Sequence, residues 1–304
     1  MKSTSSKALR GMLGALLGNS IFGFSFMFSR VALNVAPPFV MLMHRFIIAA
    51  LVLGCVAAAA HRKGAQGFMR FDLRGKQVGG LILLGLVQPV IYFLCESYGI
   101  SMTNATVSGV IIALVPIMAL AAAAVLMHEK PTKKQVFCSV LSIAGVAVMT
   151  LMQNTGGEIR LLGVVLLIGA VITGAGFNII SRSLSQKFSA LERTFVMMLV
   201  AAISFTALAV CTSGGEWSQM TAPLTDKTYL GCIGYLSILS SVLAFLGLNF
   251  ATTVLPVRQT AAFSNVTTVL SVFAGVVFLG DAFNLVTLIA SVVIIIGVIG
   301  VQKE

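Results

Sequence analysis

The stretch from Gly11 to Val35, GMLGALLGNSIFGFSFMFSRVALNV, decides how the rest of the chain is read. It is long enough to cross a bilayer, which takes roughly 20 apolar residues. Yet it carries Asn19 and Ser20 in its middle, an aromatic-rich Phe22-Gly23-Phe24-Ser25-Phe26 segment, and Arg30 near its far end. Shifted by 152 positions the pattern returns as Gly163 to Lys187, GVVLLIGAVITGAGFNIISRSLSQK, with Thr173, Gly174, Gly176, Phe177 and Asn178. Gly11 falls on Gly163 and Ser29-Arg30 on Ser181-Arg182. An apolar segment that recurs with its polar groups in register points to two copies of one unit.

Composition sets the solvent. The chain is 58% hydrophobic and 10% charged, whereas soluble domains carry about 25% charged residues. Mean hydropathy is +1.02, so most of the surface must face lipid. Long uninterrupted runs select helices over a barrel, because backbone polar groups in lipid must be satisfied internally. The net charge of +11 resides in short connections between apolar runs. There it orients the chain; no stretch is long enough to display a nucleic-acid surface. Cys55, Cys95, Cys138, Cys211 and Cys232 all lie inside apolar runs without Cys-x-x-Cys spacing. They read as small buried hydrophobes, and no metal or cofactor site is expected.

Ten apolar runs follow one another: Gly11–Val35, Phe39–Ala60, Gln77–Tyr98, Ala105–Met127, Gln135–Met152, Leu161–Ser181, Thr194–Cys211, Thr228–Phe250, Val257–Gly280 and Leu285–Val301. The first is too long, and too interrupted by Asn19, Ser20 and Arg30, for a cleaved signal. Basic residues cluster in alternate connections. Lys2, Lys7 and Arg10 precede span one; Arg62, Lys63, Arg70, Arg74 and Lys76 follow span two. Lys130, Lys133 and Lys134 follow span four, Arg182, Lys187 and Arg193 span six, and Arg258 span eight. By the positive-inside bias both termini are cytoplasmic. The expected organisation is all-α: a tail 1–10, a five-helix repeat 11–152, a linker 153–160, a second repeat 161–301 and a tail 302–304.

The 152 offset persists without a gap. Gly79 meets Gly231, Phe93-Leu94 meets Phe245-Leu246, Glu129 meets Asp281, Ser139-Val140 meets Ser291-Val292 and Gly145-Val146 meets Gly297-Val298. Five spans per repeat bring the second copy into the membrane from the opposite face. Inverted repeats of this kind are typical of secondary transporters with a site between the halves.

These residues resemble the drug/metabolite transporter superfamily, in particular its ten-helix EamA-type permeases. Phe22 to Phe26 is similar to the family's aromatic-Gly-x-polar-Phe signature in helix one. Pro37-Pro38-Phe39-Val40-Met41-Leu42-Met43-His44-Arg45-Phe46 is similar to its proline-led second helix, and Pro116 through Glu129 to its fourth. Phe22 stands where the family often has tryptophan, and Thr268 occupies the counterpart of Pro116. The resemblance implies transport, mostly export, of amino acids and other small metabolites.

Candidate site residues follow from the cost of polarity in lipid. Arg45 lies about 12 Å from the Pro37-Pro38 corner along a helix, well inside its run. There it serves either to attract a substrate carboxylate or phosphate, or as a structural cation paired with Glu96 or capping a helix end. The substrate-binding set is Asn19, Ser20, Phe22, Ser25, Arg45, Gln88, Tyr92, Asn178, Asn249 and Asn265; Ser240 and Ser241 add to the polar groups. These occupy spans one, two, three, six, eight and nine, with spans five and ten outside. Gating or charge pairing falls to Arg30, His44 and Glu96. His44 reads as a packed histidine more than a proton carrier. Glu96 either neutralises an arginine or sits in interfacial water, and Glu129 and Asp281 read as helix-end groups. Pro89 and Pro116 permit kinks.

An intramembrane enzyme is disfavoured. Asp72 and Asp226 lie in connections, and His44, His61 and His128 are too scattered for a metalloprotease. No ring of like groups suggests a channel. The expected partners are a small-molecule substrate and the lipid bilayer, with monomer and homodimer both open. The expected location is the cytoplasmic membrane. The favoured substrate is zwitterionic or anionic, an amino acid first; a multidrug exporter is the alternative.

Overall fold

The computed structural model describes residues 2–126, 132–153, 159–255, 260, 263–281 and 285–302. The expectations placed on His128, Glu129, Lys130 and Arg258 lie outside these residues. The described residues are helical and contain no strand. The helices are α1 (Lys2–Leu33), α2 (Pro38–Arg62), α3 (Gly79–Ser101), α4 (Ala105–Ile112), α5 (Val115–Leu126), α6 (Lys133–Gln153), α7 (Leu161–Leu184), α8 (Ala190–Thr212), α9 (Lys227–Val254), α10 (Ser264–Leu279) and α11 (Leu285–Gln302). Six of them, α1, α2, α3, α7, α8 and α9, are long and apolar enough to cross a membrane, and shorter apolar helices accompany them.

Local chemistry sets the helix starts. Pro38 opens α2 at a position where a missing N–H costs nothing. Asn104 accepts from the Val107 N–H to cap α4, and Asp226 does the same for α9 at Tyr229. Ser189 and Glu192 form a reciprocal capping box at the start of α8. α10 ends at Gly280, whose φ of 69° is left-handed and suits glycine. The outer surface is apolar, with Leu51, Phe137, Leu161, Ile203 and Leu285 each more than 60% exposed. In water such a surface would aggregate; against lipid tails it is solvated.

The repeat is visible in packing. Along the α3–α7 crossing Gly99 meets Gly163, Cys95 meets Gly169, Val87 meets Gly176 and Gly80 meets Leu184, so these helices run antiparallel. α1 and α9 cross in the same way, Gly11 against Val254, Gly14 against Gly247 and Gly18 against Ala244. Arg30, near the end of α1, donates to the carbonyls of Ile100 and Ser101 at 2.9 and 3.2 Å. Arg182, its counterpart on α7, donates to those of Thr252 and Thr253 at 2.6 and 3.0 Å. All three positions differ by 152, and the two contacts lie at opposite ends of the α3–α7 pair. The second copy is therefore inverted. The local twofold relation also passes between α6 and α11, where Ser142 donates to the Ile294 carbonyl across a separation of 152.

Arg30 and Arg182 thus close the exposed carbonyls at the ends of α3 and α9, a position that favours a cation. Neither forms an ion pair among the described residues.

A Cβ at Gly247 would sit 2.8 Å from the Gly14 carbonyl oxygen, too close for backbone to yield cheaply. Gly247→Ala is expected to destabilise by about 1–3 kcal/mol, lowering the unfolding temperature in detergent. Gly231→Ala, where nothing lies within 4 Å, should leave it unchanged or slightly raised.

Candidate substrate cavity and its supporting arginines

A cavity lies between the halves, lined from α1, α2, α3, α4, α5, α7, α9 and α10 together with Thr260. None of its lining residues comes from α6 or α11, the pair expected outside. Seven of the ten expected binding residues line it: Asn19, Phe22, Ser25, Arg45, Gln88, Tyr92 and Asn178. Glu96 joins them.

α3 and α9 both break their regular helix beside this cavity. Leu86–Ile91 and Tyr235–Ala244 form π-helical segments at positions related by the same offset. In α3 the cause is legible. Pro89 disfavours helical geometry at the residue before it, and Gln88 has φ −147° and ψ 118°. In α9 no proline marks the break; Ser240 and Ser241 stand at the equivalent positions.

Arg45 is fully buried and reaches from α2 to this second break. Its Nε donates to Ser241 Oγ at 2.9 Å and its Nη2 to Ser240 Oγ at 2.8 Å. The guanidinium carbon lies 4.1 Å from the centre of the Phe93 ring, a cation–π contact that offsets part of the desolvation. Nη1 has no hydrogen-bond partner among the described residues, and neither does Gln88 Oε1. Glu96 does not sit in interfacial water: it is 6% exposed and accepts from Tyr92 Oη at 3.0 Å. The reason is packing, since Gly99 docks on Gly163 and draws the end of α3 beneath α7. The cavity therefore holds one buried arginine and one buried glutamate, with Phe22, Phe26, Phe93 and Phe177 as walls.

Hydrogen bonds hold the other polar residues in place. Asn19 donates to Ala15 O at 2.8 Å and accepts from Thr267 at 3.0 Å, joining α1 to α10. Ser25 and Asn178 bond back to carbonyls four residues earlier. The remaining candidates lie elsewhere. Ser20 and Asn265 are half-buried outside the lining. His44 Nδ1 meets Tyr229 Oη at 2.8 Å, a packed histidine joining α2 to α9. Asp281 accepts from the N–H and hydroxyl of Thr106 at 2.9 and 2.8 Å. It caps α4 in the other half.

Asn249 belongs to a second buried arginine, Arg193, which the sequence reading counted only among the orienting charges. Arg193 is 0% exposed. Its guanidinium donates to Ser181 O and Oγ at 2.8 and 2.6 Å, Asn249 O at 2.6 Å, Thr252 Oγ1 at 3.1 Å and Thr253 Oγ1 at 2.6 Å. Next to it Glu192, also 0% exposed, takes Lys76 Nζ at 2.8 Å and the Asp72 N–H at 2.8 Å. Thus the 63–78 connection is clamped to the start of α8. Other residues missed were Thr260, Ser264 and Thr267 of the cavity, since threonine and serine in an apolar run carry no distinctive signal.

An all-helical bundle with a lipid-facing surface, inverted halves and a polar cavity between them defines a multi-pass integral membrane transporter, not an enzyme. The profile of the EamA-like transporter family matches residues 9–151 and again 161–302. The chain belongs to that family. It is 30% identical to Uncharacterized transporter YcxC of Bacillus subtilis (strain 168) over 95% of this chain and 91% of that one. Uncharacterized transporter YetK of the same organism is 27% identical over 93% and 82%. A solved crystal structure aligns with TM-score 0.64 and 18% identity, covering 97% of this chain and 96% of its own, which is a likeness of fold.

Arg193→Met would leave the carbonyls and hydroxyls around it unpaired in a buried site. The expected loss is at least about 3 kcal/mol, read as a large drop in unfolding temperature or in detergent-extractable protein. Arg62→Gln, at an exposed position, should show neither.

Proposed function

We propose that the protein exports a small zwitterionic or anionic metabolite, an amino acid first, from the cytoplasm across the cytoplasmic membrane. In this reading the chain crosses the membrane ten times with both termini cytoplasmic, and the halves rock about the cavity to expose it alternately. The alternation of basic and nearly uncharged connections supports that orientation.

The observation that carries the substrate class is the pair of buried polar atoms without partners, Arg45 Nη1 and Gln88 Oε1. An unpaired buried donor and acceptor each cost free energy that a ligand recovers by bonding to them. Nη1 is a cationic donor and suits a carboxylate. Gln88 Oε1 and the Glu96 carboxylate suit an ammonium. The aromatic walls accept an apolar side chain. Those same walls favour the second reading, a multidrug exporter, but a lipophilic cation would meet Arg45 beside the cavity's acid.

Proteoliposomes with a panel of labelled amino acids, their decarboxylated amines and a lipophilic cation test this. Amino acids are expected to move and the amines not. Arg45→Gln is expected to raise the half-saturating concentration roughly tenfold to a hundredfold, the cost of one charged hydrogen bond. Transport of the cation alone, or Arg45→Gln with wild-type amino-acid transport, would sink the reading.

A further inference from the structure

Away from the central cavity, a groove follows the lipid-facing seam between α2 and α8 and ends beneath the 63–78 connection. Gly54, Ala57 and Ala58 of α2 form one side and Phe195 of α8 the other. Phe71 and Arg74 of the connection close its end. The rings of Phe71 and Phe195 meet edge-on at 5.4 Å, so the floor and the end wall are one continuous apolar surface. Leu51 on α2 and Ile203 on α8, further along the same helices, are 66% and 64% exposed, an apolar surface suited to lipid.

The polar end is cationic. Residues 61–78 contain Arg62, Lys63, Arg70, Arg74 and Lys76 against Asp72 as the lone acid. Asp72 is already engaged: it pairs with Arg70 at 3.5 Å and accepts from the Arg74 N–H at 3.3 Å. Lys76 is taken by Glu192 at 2.8 Å. Arg62, Lys63 and Arg74 are exposed and enter no ion pair among the described residues. Glu192 holds the connection in place through the Asp72 N–H, so the charge is presented on a fixed loop.

We infer that this groove is a binding site for an anionic phospholipid, with an acyl chain along Gly54, Ala57 and Ala58 and the phosphate beside Arg74. Charge complementarity selects this occupant. A zwitterionic lipid would satisfy the apolar floor but bring a second cation toward Arg62 and Lys63. A free phosphate would satisfy the arginine and leave the floor uncovered. Basic pockets between helices at a membrane surface are suited to acidic headgroups.

The test is native mass spectrometry of the full-length protein, titrated with dioleoyl phosphatidylglycerol or dioleoyl phosphatidylcholine, with sn-glycerol 3-phosphate as the chain-free control. The wild type should prefer the anionic lipid. Arg74→Gln should lower that preference about fivefold, the effect of one cation near an anionic surface. Ala58→Leu, which fills the groove without changing charge, should weaken binding of both lipids. Arg10→Gln removes an exposed cation at the same end outside the groove and should change nothing. Equal binding of the two lipids would overturn the inference. So would an Arg10→Gln loss matching that of Arg74→Gln, or glycerol phosphate binding as well as the lipid. Unfolding temperatures of the variants, expected to match the wild type without added lipid, separate lost binding from lost folding.

Discussion

A guanidinium buried inside a helical bundle must be surrounded by acceptors, because removing it from water costs more than any single contact returns. Among the described residues two are fully buried, Arg45 and Arg193, and they settle the requirement in opposite ways. Arg193 is enclosed by carbonyl and hydroxyl oxygens from α7 and α9, which fixes how α8 packs against both. Arg45 receives two serine hydroxyls and an aromatic face, and keeps one nitrogen without a hydrogen-bond partner among the described residues. The first arrangement holds helices together; the second leaves one buried donor without a partner.

The inverted repeat explains why the cavity is where it is. Glycines on α1 and α7 let these helices cross α9 and α3 closely, and the crossing brings the two π-helical segments to the centre of the bundle. π-helical segments concentrate at functional sites because they present side chains and backbone that a regular helix conceals. Symmetry ends at the chemistry. Arg45 has Met197 at its repeat position, and Arg193 has Met41. Each half therefore contributes one arginine at a different depth, and a transporter with unlike halves has a physical basis for unlike faces.

Much of this architecture was legible because lipid imposes strong rules on sequence. The long apolar runs, the 152-residue echo and the polar residues within spans one, three and six each had a direct reading, and Asn19, Gln88, Tyr92 and Asn178 do meet at one cavity. Asn249 shows the limit. In sequence it is the same kind of residue as Asn178, yet its side chain bonds Ser181 and Thr194 beside Arg193. Nothing local distinguishes the two, because the difference lies in which helix lies opposite. The two readings of Glu96 could not be separated from sequence for a related reason: distance along a helix does not give depth when the helix end is covered by another.

The amino-acid sequence by itself determined that the chain lives in lipid, that it is built twice, and that its polar residues are too costly to be incidental. Those conclusions follow from hydropathy and spacing, which are properties of the chain in order. Only the tertiary structure decided which polar groups are satisfied by neighbours and which are left without a partner. That is a matter of partners brought from more than a hundred residues away, as Ser240 and Ser241 are brought to Arg45. The same holds for Arg193, which looked like one more charge at a helix end and is instead sealed inside the protein.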